Sequence, residues 1–324
     1  MVDVTNIEKA AERLQGVSVR TPLLQNFELD QLAGGKVLIK PECLQVTGSF
    51  KIRGAYNRLS QLTAEQAGRG VVAWSSGNHA QGVAAAGAML GIRTTIVMPE
   101  DAPRAKLENT RRLGGEVVSY DRYTGDREAI ARQIAVERDA ELVPSYDHEH
   151  IIAGQGTVGL ELAQDASSMG LPPDQVLIPC GGGGLSSGSA LALKSRLPNV
   201  DVYAVEPVDF DDTARSFRAD ERLRVDDGAR SICDALQTPM PGKLTFQINK
   251  ALLSDVLTVS DAEVRAAIRF AFKNLKLIVE PGGAVALAAV LSGKLDTAGK
   301  TTAIVLSGGN IDVDLFAEIQ AEPN

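Results

Sequence analysis

An α/β fold with doubly wound, mostly parallel sheet is what this sequence predicts, on three observations. From about residue 70, short β-branched runs alternate with helical stretches separated by short turns. The same rhythm returns after residue 175, and a late strand-like run ends near residue 306. Alternation of this kind places helices over both faces of parallel strands.

Val71-Val72-Ala73-Trp74 reads as a strand, and 77–90, rich in small residues, as a helix ended by Gly91. Thr94-Thr95-Ile96-Val97-Met98 is the next strand, followed by a helix over 104–113 that Gly114-Gly115 stops. Val117-Val118-Ser119-Tyr120 and a helix over 127–136 complete this block. The second block has a strand over 175–179, a run of four glycines, a helix to Arg196 and the strand Val202-Tyr203-Ala204-Val205. Thr302-Ala303-Ile304-Val305-Leu306 then runs into Ser307-Gly308-Gly309-Asn310. In doubly wound sheets, ligands bind beyond the carboxyl ends of strands. Four loops fall there and are expected to converge: 75–79, 180–185, from Glu206 onward, and 307–310.

The 324 residues, 44% of them hydrophobic, fit a globular protein; at roughly 150 residues per domain they suggest two domains. A net charge of −8 argues against a nucleic-acid groove or an anionic membrane surface. No apolar run approaches the roughly 20 residues that span a bilayer, and the N-terminus lacks a signal-like pattern. Cys43, Cys180 and Cys233 are odd in number and widely spaced. They read as free thiols in a reducing cytosol, so a cytoplasmic location is expected. No tandem repeat is visible, and no appended regulatory domain is expected after Asn310.

Two features carry the chemistry. Lys51 sits in Ser49-Phe50-Lys51-Ile52-Arg53-Gly54, ahead of an apolar helix face made by Ile52, Ala55 and Leu59. Most lysines are solvated, but this context favours a desolvated amine with a lowered pKa. The second feature is Cys180-Gly181-Gly182-Gly183-Gly184-Leu185, whose backbone N–H groups suit a phosphate at a helix N-terminus. An amine for an aldehyde and a cradle for a phosphate together indicate pyridoxal 5'-phosphate, with Lys51 forming the Schiff base.

Ser75-Ser76-Gly77-Asn78-His79 follows a strand and opens a helix, which suits a carboxylate; an ordinary N-cap is the alternative. The three histidines show no metal-ligand spacing and no triad order. A dinucleotide site is the rival reading of the glycines, with Glu206 as the ribose acid. It leaves Lys51 and Ser307-Gly308-Gly309-Asn310 unexplained.

The lysine motif, residues 75–80, Ala153-Gly154-Gln155-Gly156-Thr157, the tetraglycine and residues 306–310 occur in order across nearly the whole chain. In this they resemble the serine/threonine dehydratase and serine racemase group of pyridoxal-phosphate enzymes, of fold type II (tryptophan synthase β-like). The resemblance implies two doubly wound sheets. The large cofactor-binding domain would comprise 1–45 and 147–324, and a small, mobile, substrate-closing domain 46–146. It implies Lys51 as acid/base at the substrate α-carbon, Phe50 packed on the cofactor ring and Asn78 on the 3'-oxygen. Gly181, Gly182, Gly183, Gly184 and Leu185 would hold the phosphate, and Ser307 would face the ring nitrogen. Ser75, Asn78 and His79 would hold the substrate carboxylate, with Arg127 as a distal contact.

Two details separate members of the group. Ser76 stands where serine racemases and 3-hydroxyaspartate dehydratases have serine and familiar threonine dehydratases have alanine, so it is a candidate acid/base on the face opposite Lys51. Glu206-Pro207-Val208-Asp209-Phe210-Asp211-Asp212 resembles the racemase cation loop. Glu206, Asp212 and the Phe210 carbonyl would ligate Mg²⁺, or Mn²⁺ or Ca²⁺; a solvated acidic loop is the alternative. Ala235 and Pro239-Met240-Pro241-Gly242 depart from the pattern, which leaves substrate preference open. The expected activity is dehydration of small 3-hydroxy-L-amino acids such as serine or threonine to 2-oxo acid and ammonia. 3-Hydroxyaspartate dehydration and serine racemisation are the alternatives, and relatives imply a homodimer.

Overall fold

The computed structural model describes every residue except Met1, Ser76, Pro103, Arg122, Tyr123, Pro323 and Asn324. Ten strands form two sheets among the described residues. The first contains β1 (Leu24–Gln25), β2 (Lys36–Pro41), β7 (Gln175–Pro179), β8 (Asp201–Pro207), β9 (Asp255–Val259) and β10 (Thr301–Leu306). Its order is β1-β2-β10-β7-β8-β9, parallel throughout except for the antiparallel edge pair β1–β2. The second contains β3 (Val71–Trp74), β4 (Thr94–Pro99), β5 (Glu116–Tyr120) and β6 (Glu141–Leu142). Its order is β5-β4-β3-β6, all parallel.

Alternation along the central strands divides the core into two layers. Val37, Ile39, Leu177, Ile304 and Leu306 face the apolar Pro281–Leu291 helix. Their neighbours Leu38, Val176, Ile178, Ala303 and Val305 face the opposite way, against Val158, Leu162, Leu185 and Leu193. Strands covered on both faces read as continuous β-branched runs, which is why they are visible in sequence. The second sheet is split in the same way. Val71, Ala73, Ile96 and Met98 pack on Ile52, Ala55 and Leu59, and Val72 and Val97 on Ala131 and Ala135. All its strands fall within 71–142.

Three helices lie unusually close: Lys51–Leu59, Glu149–Ser168 and Gly184–Arg196. A Cβ on Gly154 would come within 2.4 Å of the Arg53 carbonyl, and one on Gly156 within 2.7 Å of the Gly188 carbonyl. From the other side, a Cβ on Gly188 would meet the Ile152 carbonyl at 2.3 Å. The glycines of Ala153-Gly154-Gln155-Gly156-Thr157 therefore let backbone pack on backbone. They join the lysine helix to the helix that follows the tetraglycine.

The lysine helix is also anchored by charge. Buried Arg53 donates to Glu42 from Nε at 2.8 Å and Nη2 at 2.9 Å, and to Glu161 from Nη1 at 2.7 Å and Nη2 at 2.9 Å. Lys40 Nζ joins at 2.8 Å from Glu161 and donates to the Thr21 carbonyl at 2.7 Å. Burial alone would raise the Glu42 carboxyl, but Arg53 and Lys40 hold it below the usual carboxylate range.

Candidate active site

Lys51 opens its helix directly after Phe50. The Phe50 N–H donates to the Ser307 carbonyl at 3.2 Å, and Ser49 bridges Gly308, so the carboxyl end of β10 is tied to the lysine turn. Lys51 Nζ donates to the Ser145 carbonyl at 3.2 Å and lies 5.0 Å from the Phe50 ring centroid. Burial lowers the amine to about 8, with Glu280 acting against the shift. A lysine poised there supplies a substantial fraction of neutral nucleophile near neutral pH.

The 75–79 turn opens the helix Asn78–Leu90, whose N-cap, Gly77, offers no side-chain acceptor. The first-turn amides remain available to an anion. Ser75 Oγ accepts from the Gly77 N–H at 3.2 Å, which orders the turn without capping the helix. Ser76 lies outside the described residues. Asn78 donates to Glu280 from Nδ2, and its Oδ1 accepts from Asn310 Nδ2 at 2.7 Å. His79 Nε2 lies 2.9 Å from the Val143 carbonyl, so it is the protonated nitrogen of a neutral ring. Burial and the nearby Lys51 drive its pKa down to about 3. What His79 has left for a carboxylate is its backbone N–H.

Glu280 escaped the sequence reading. It is buried, and burial with repulsion from Asp234 pushes its carboxyl up to about 7, while Lys106, Asn78 and Lys51 oppose. Its Oε2 has no hydrogen-bond partner. Lys106, on the helix Arg104–Arg112, pairs with Asp234. The signal available in sequence was an acid between apolar Val279 and Pro281-Gly282-Gly283, which reads only as a helix start. Ala235 also finds an explanation: its methyl would lie 3.2 Å from a Cβ on Gly282, so glycine there accommodates it.

The tetraglycine follows β7, and Gly183 (φ 90°) caps the helix Gly184–Arg196 without a side chain. Thr245 Oγ1 donates to the Gly182 carbonyl at 2.7 Å. Together these loops line a cavity of about 780 Å³. Phe50, Lys51, Ser75, Asn78, His79, Gly181, Gly182, Gly183, Gly184, Leu185 and Ser307 all border it, as does exposed Arg127.

The loop from Glu206 onward does not reach that cavity. Glu206, Phe210 and Asp212 are buried elsewhere, near Cys180 through Thr213. Glu206 accepts from the Thr213 N–H at 3.3 Å and the Ala214 N–H at 3.0 Å, which removes it as a ribose acid. Both Asp212 carboxylate oxygens lack partners. Burial raises its pKa to about 8, and burial with Asp212 raises Glu206. The acidic loop is therefore not a solvated one. Among the described residues no cluster of three or more His, Cys, Asp or Glu is present. Two buried carboxylates so close need a shared proton or a counter-ion to be neutralised.

A desolvated lysine facing a glycine cradle across one cavity, on a doubly wound scaffold, defines a lysine-dependent cofactor enzyme. Comparison with known proteins is specific: the chain belongs to the pyridoxal-phosphate dependent enzyme family, which matches residues 15–308. It is 45% identical over 314 residues to an L-threo-3-hydroxyaspartate ammonia-lyase of a Pseudomonas species, covering 97% of both chains. It is 40% identical to a serine racemase of Schizosaccharomyces pombe, covering 98% of this chain and 97% of that one. The crystal structure of a threonine deaminase from T.th. superposes with a TM-score of 0.89 at 42% identity, over 96% of this chain and 99% of that one.

Proposed function

We propose that the chain is an ammonia-lyase that eliminates water from small 3-hydroxy-L-amino acids, serine and threonine first, to give a 2-oxo acid and ammonia. The observation that carries this reading is the Lys51 amine, lowered to about 8, in the same cavity as the glycine loop. When bound, pyridoxal phosphate supplies an electron sink for the substrate α-carbon. Glycines 181–184 and Leu185 hold its phosphate, Phe50 packs on the ring, and Asn78 serves the 3'-oxygen. Ser307 offers the ring nitrogen a neutral hydroxyl. Ser75 and the free amides of Asn78 and His79 bind the α-carboxylate. Lys51 takes the α-proton and returns it to the departing β-hydroxyl, which leaves as water; the released enamine tautomerises to an imine, and one water hydrolyses that to the 2-oxo acid and ammonia.

A second reading is favoured by the mouth of the cavity. Arg127 and Arg224 line it and have no ion-pair partner among the described residues. A second substrate carboxylate suits them, so 3-hydroxyaspartate is the rival substrate. Serine racemisation is the third, and it rests on Ser76 as acid/base opposite Lys51. In the same reading residues 46–146 move as a closing domain. Glu206, Asp212 and the Phe210 carbonyl hold Mg²⁺, or Mn²⁺ or Ca²⁺, and the enzyme is a cytoplasmic homodimer. Three free cysteines support a reducing compartment. No helix among the described residues is long and apolar enough to cross a membrane.

A panel of L-serine, L-threonine and L-threo-3-hydroxyaspartate, scored for ammonia and 2-oxo acid, tests this. Equimolar release of both from at least one substrate is expected. Release from none of them overturns the ammonia-lyase reading.

A further inference from the structure

The segment Ser145-Tyr146-Asp147-His148 leaves the edge strand β6 and enters the helix Glu149–Ser168. Each of its residues grips a different part of the molecule. The Ser145 carbonyl accepts from Lys51 Nζ at 3.2 Å and from Gln155 Nε2 at 3.1 Å. Asp147 accepts from the backbone N–H groups of Lys243 at 2.9 Å, Leu244 at 2.8 Å and Thr245 at 3.2 Å, capping the helix Lys243–Leu252. His148 caps its own helix through Nδ1, 3.1 Å from the His150 N–H.

Tyr146 lies on the glycine loop. A Cβ on Gly182 would meet ring carbons of Tyr146 at 2.3 to 2.4 Å, and one on Gly184 would meet the Tyr146 Cβ at 3.0 Å. Thr245 Oγ1 holds the Gly182 carbonyl at 2.7 Å. The residue after Tyr146, Asp147, fixes the helix that carries Thr245. Adjacent residues of one segment thus restrain Gly182 twice, directly through a ring and indirectly through a capped helix.

Consecutive glycines have more backbone freedom than any other sequence, so a run of four does not order itself. A ring packed on the Cα positions removes that freedom before a ligand arrives, which raises affinity by preorganisation. We propose that Tyr146 is the positioning residue of the glycine loop. Its ring fixes the backbone of Gly182, and with it the loop's grip on pyridoxal phosphate. This rests on reading the loop as the phosphate cradle. The hydroxyl has no part in it, because the contact is made by ring carbons and Cβ.

The test uses full-length protein, with the cofactor dissociation constant measured by spectroscopic titration and the melting temperature of the cofactor-free form. Tyr146→Ala is expected to weaken cofactor binding at least about tenfold by loss of preorganisation. The KM for amino acid at saturating cofactor should stay within about twofold, and Tyr146→Phe should rescue binding. Gly182→Ala should melt well below wild type, but cost much less in the Tyr146→Ala background, where the ring is gone. If Tyr146→Ala does not fold, Tyr146→Leu is read against the same expectations. Unchanged cofactor affinity, or a Gly182→Ala penalty equal in both backgrounds, overturns the inference. A wild type that binds no pyridoxal phosphate overturns the cradle reading instead, while the Gly182/Tyr146 melting cycle still judges the packing.

Discussion

Lys51 and Arg53 sit two residues apart on one helix, both cationic by type, Arg53 fully buried and Lys51 half-buried with its amine desolvated, yet their surroundings are opposite. Arg53 meets two carboxylates through its planar fork, and those carboxylates raise its pKa against the effect of burial. Among the described residues, Lys51 Nζ has a carbonyl as its hydrogen-bond partner and an aromatic ring beside it, and burial lowers it to about 8 against the pull of Glu280. Burial alone therefore does not make a functional group. A buried cation given full partners becomes an anchor, and one denied them becomes a base and nucleophile.

The largest effect that would sharpen this contrast is on turnover. Lys51→Ala should stay folded but lose the visible band of the lysine-attached cofactor and at least about 10⁴-fold of turnover. Lys51→Arg should be nearly as poor, since guanidinium stays protonated. In wild type, the rate of cofactor attachment should climb with pH and level off above about 8, as the amine becomes neutral. Attachment independent of pH between 6 and 9 would break the comparison at its Lys51 end.

Arg53→Ala should act on stability. Leaving Glu42 buried without its guanidinium, and Glu161 with Lys40 alone, costs about 3–5 kcal/mol, read as a shift of the denaturation midpoint. Arg53→Lys should recover little of this, because an ammonium cannot reproduce the fork. A loss below about 1 kcal/mol, the range of exposed pairs, would mean that the anchor is not one.

Glu206 and Asp212 form a third case, buried acids with too few partners, and the expected effect is smaller. Chelation should lower the melting temperature, and Mg²⁺ or Mn²⁺ should restore it. With Asp212 raised from the ordinary aspartate range to about 8, the folded state binds the extra proton between those limits. Stability of the chelated protein should therefore fall as pH rises through that window, and flatten when metal is added. Indifference to chelator and metal alike would leave a shared proton as the counter-charge.

The smallest change is expected from Ser76→Ala. It should remove D-serine formation while sparing most elimination from L-serine, since Lys51 alone serves the L-face proton. Deuterium entering the α-position of recovered L- and D-serine reports each face separately. No D-face exchange in wild type would dismiss the racemase alternative.

Much of this was legible in sequence, for identifiable reasons. Strands β3, β4, β7 and β10 are covered on both faces, so their burial appears as unbroken β-branched runs. Strand β1 has only two residues and β2 begins in lysine and ends in proline, so neither stands out. Lys51 and the tetraglycine are local motifs, and they could be read. Glu280, the Lys106–Asp234 pair and Tyr146 acquire meaning only from partners far along the chain. No periodicity encodes a ring resting on a glycine of a distant loop. The Glu206 loop misled in position for a related reason: it follows a strand of the right sheet, but it turns into the core instead of toward the cavity.

The backbone-to-backbone contacts at Gly154, Gly156 and Gly188 also bear on how this catalyst can change its diet. Adding one methyl group at any of these positions would wedge apart the helices that carry the nucleophile and the loop that receives the phosphate. The helix packing behind the site therefore tolerates no added side chain at these glycines. New substrate preferences have to be written in the rim of the site, where Arg127, Arg224 and Ala235 line the cavity and are exposed to solvent. A library at those positions would search specificity without disturbing the helix packing that holds the chemistry.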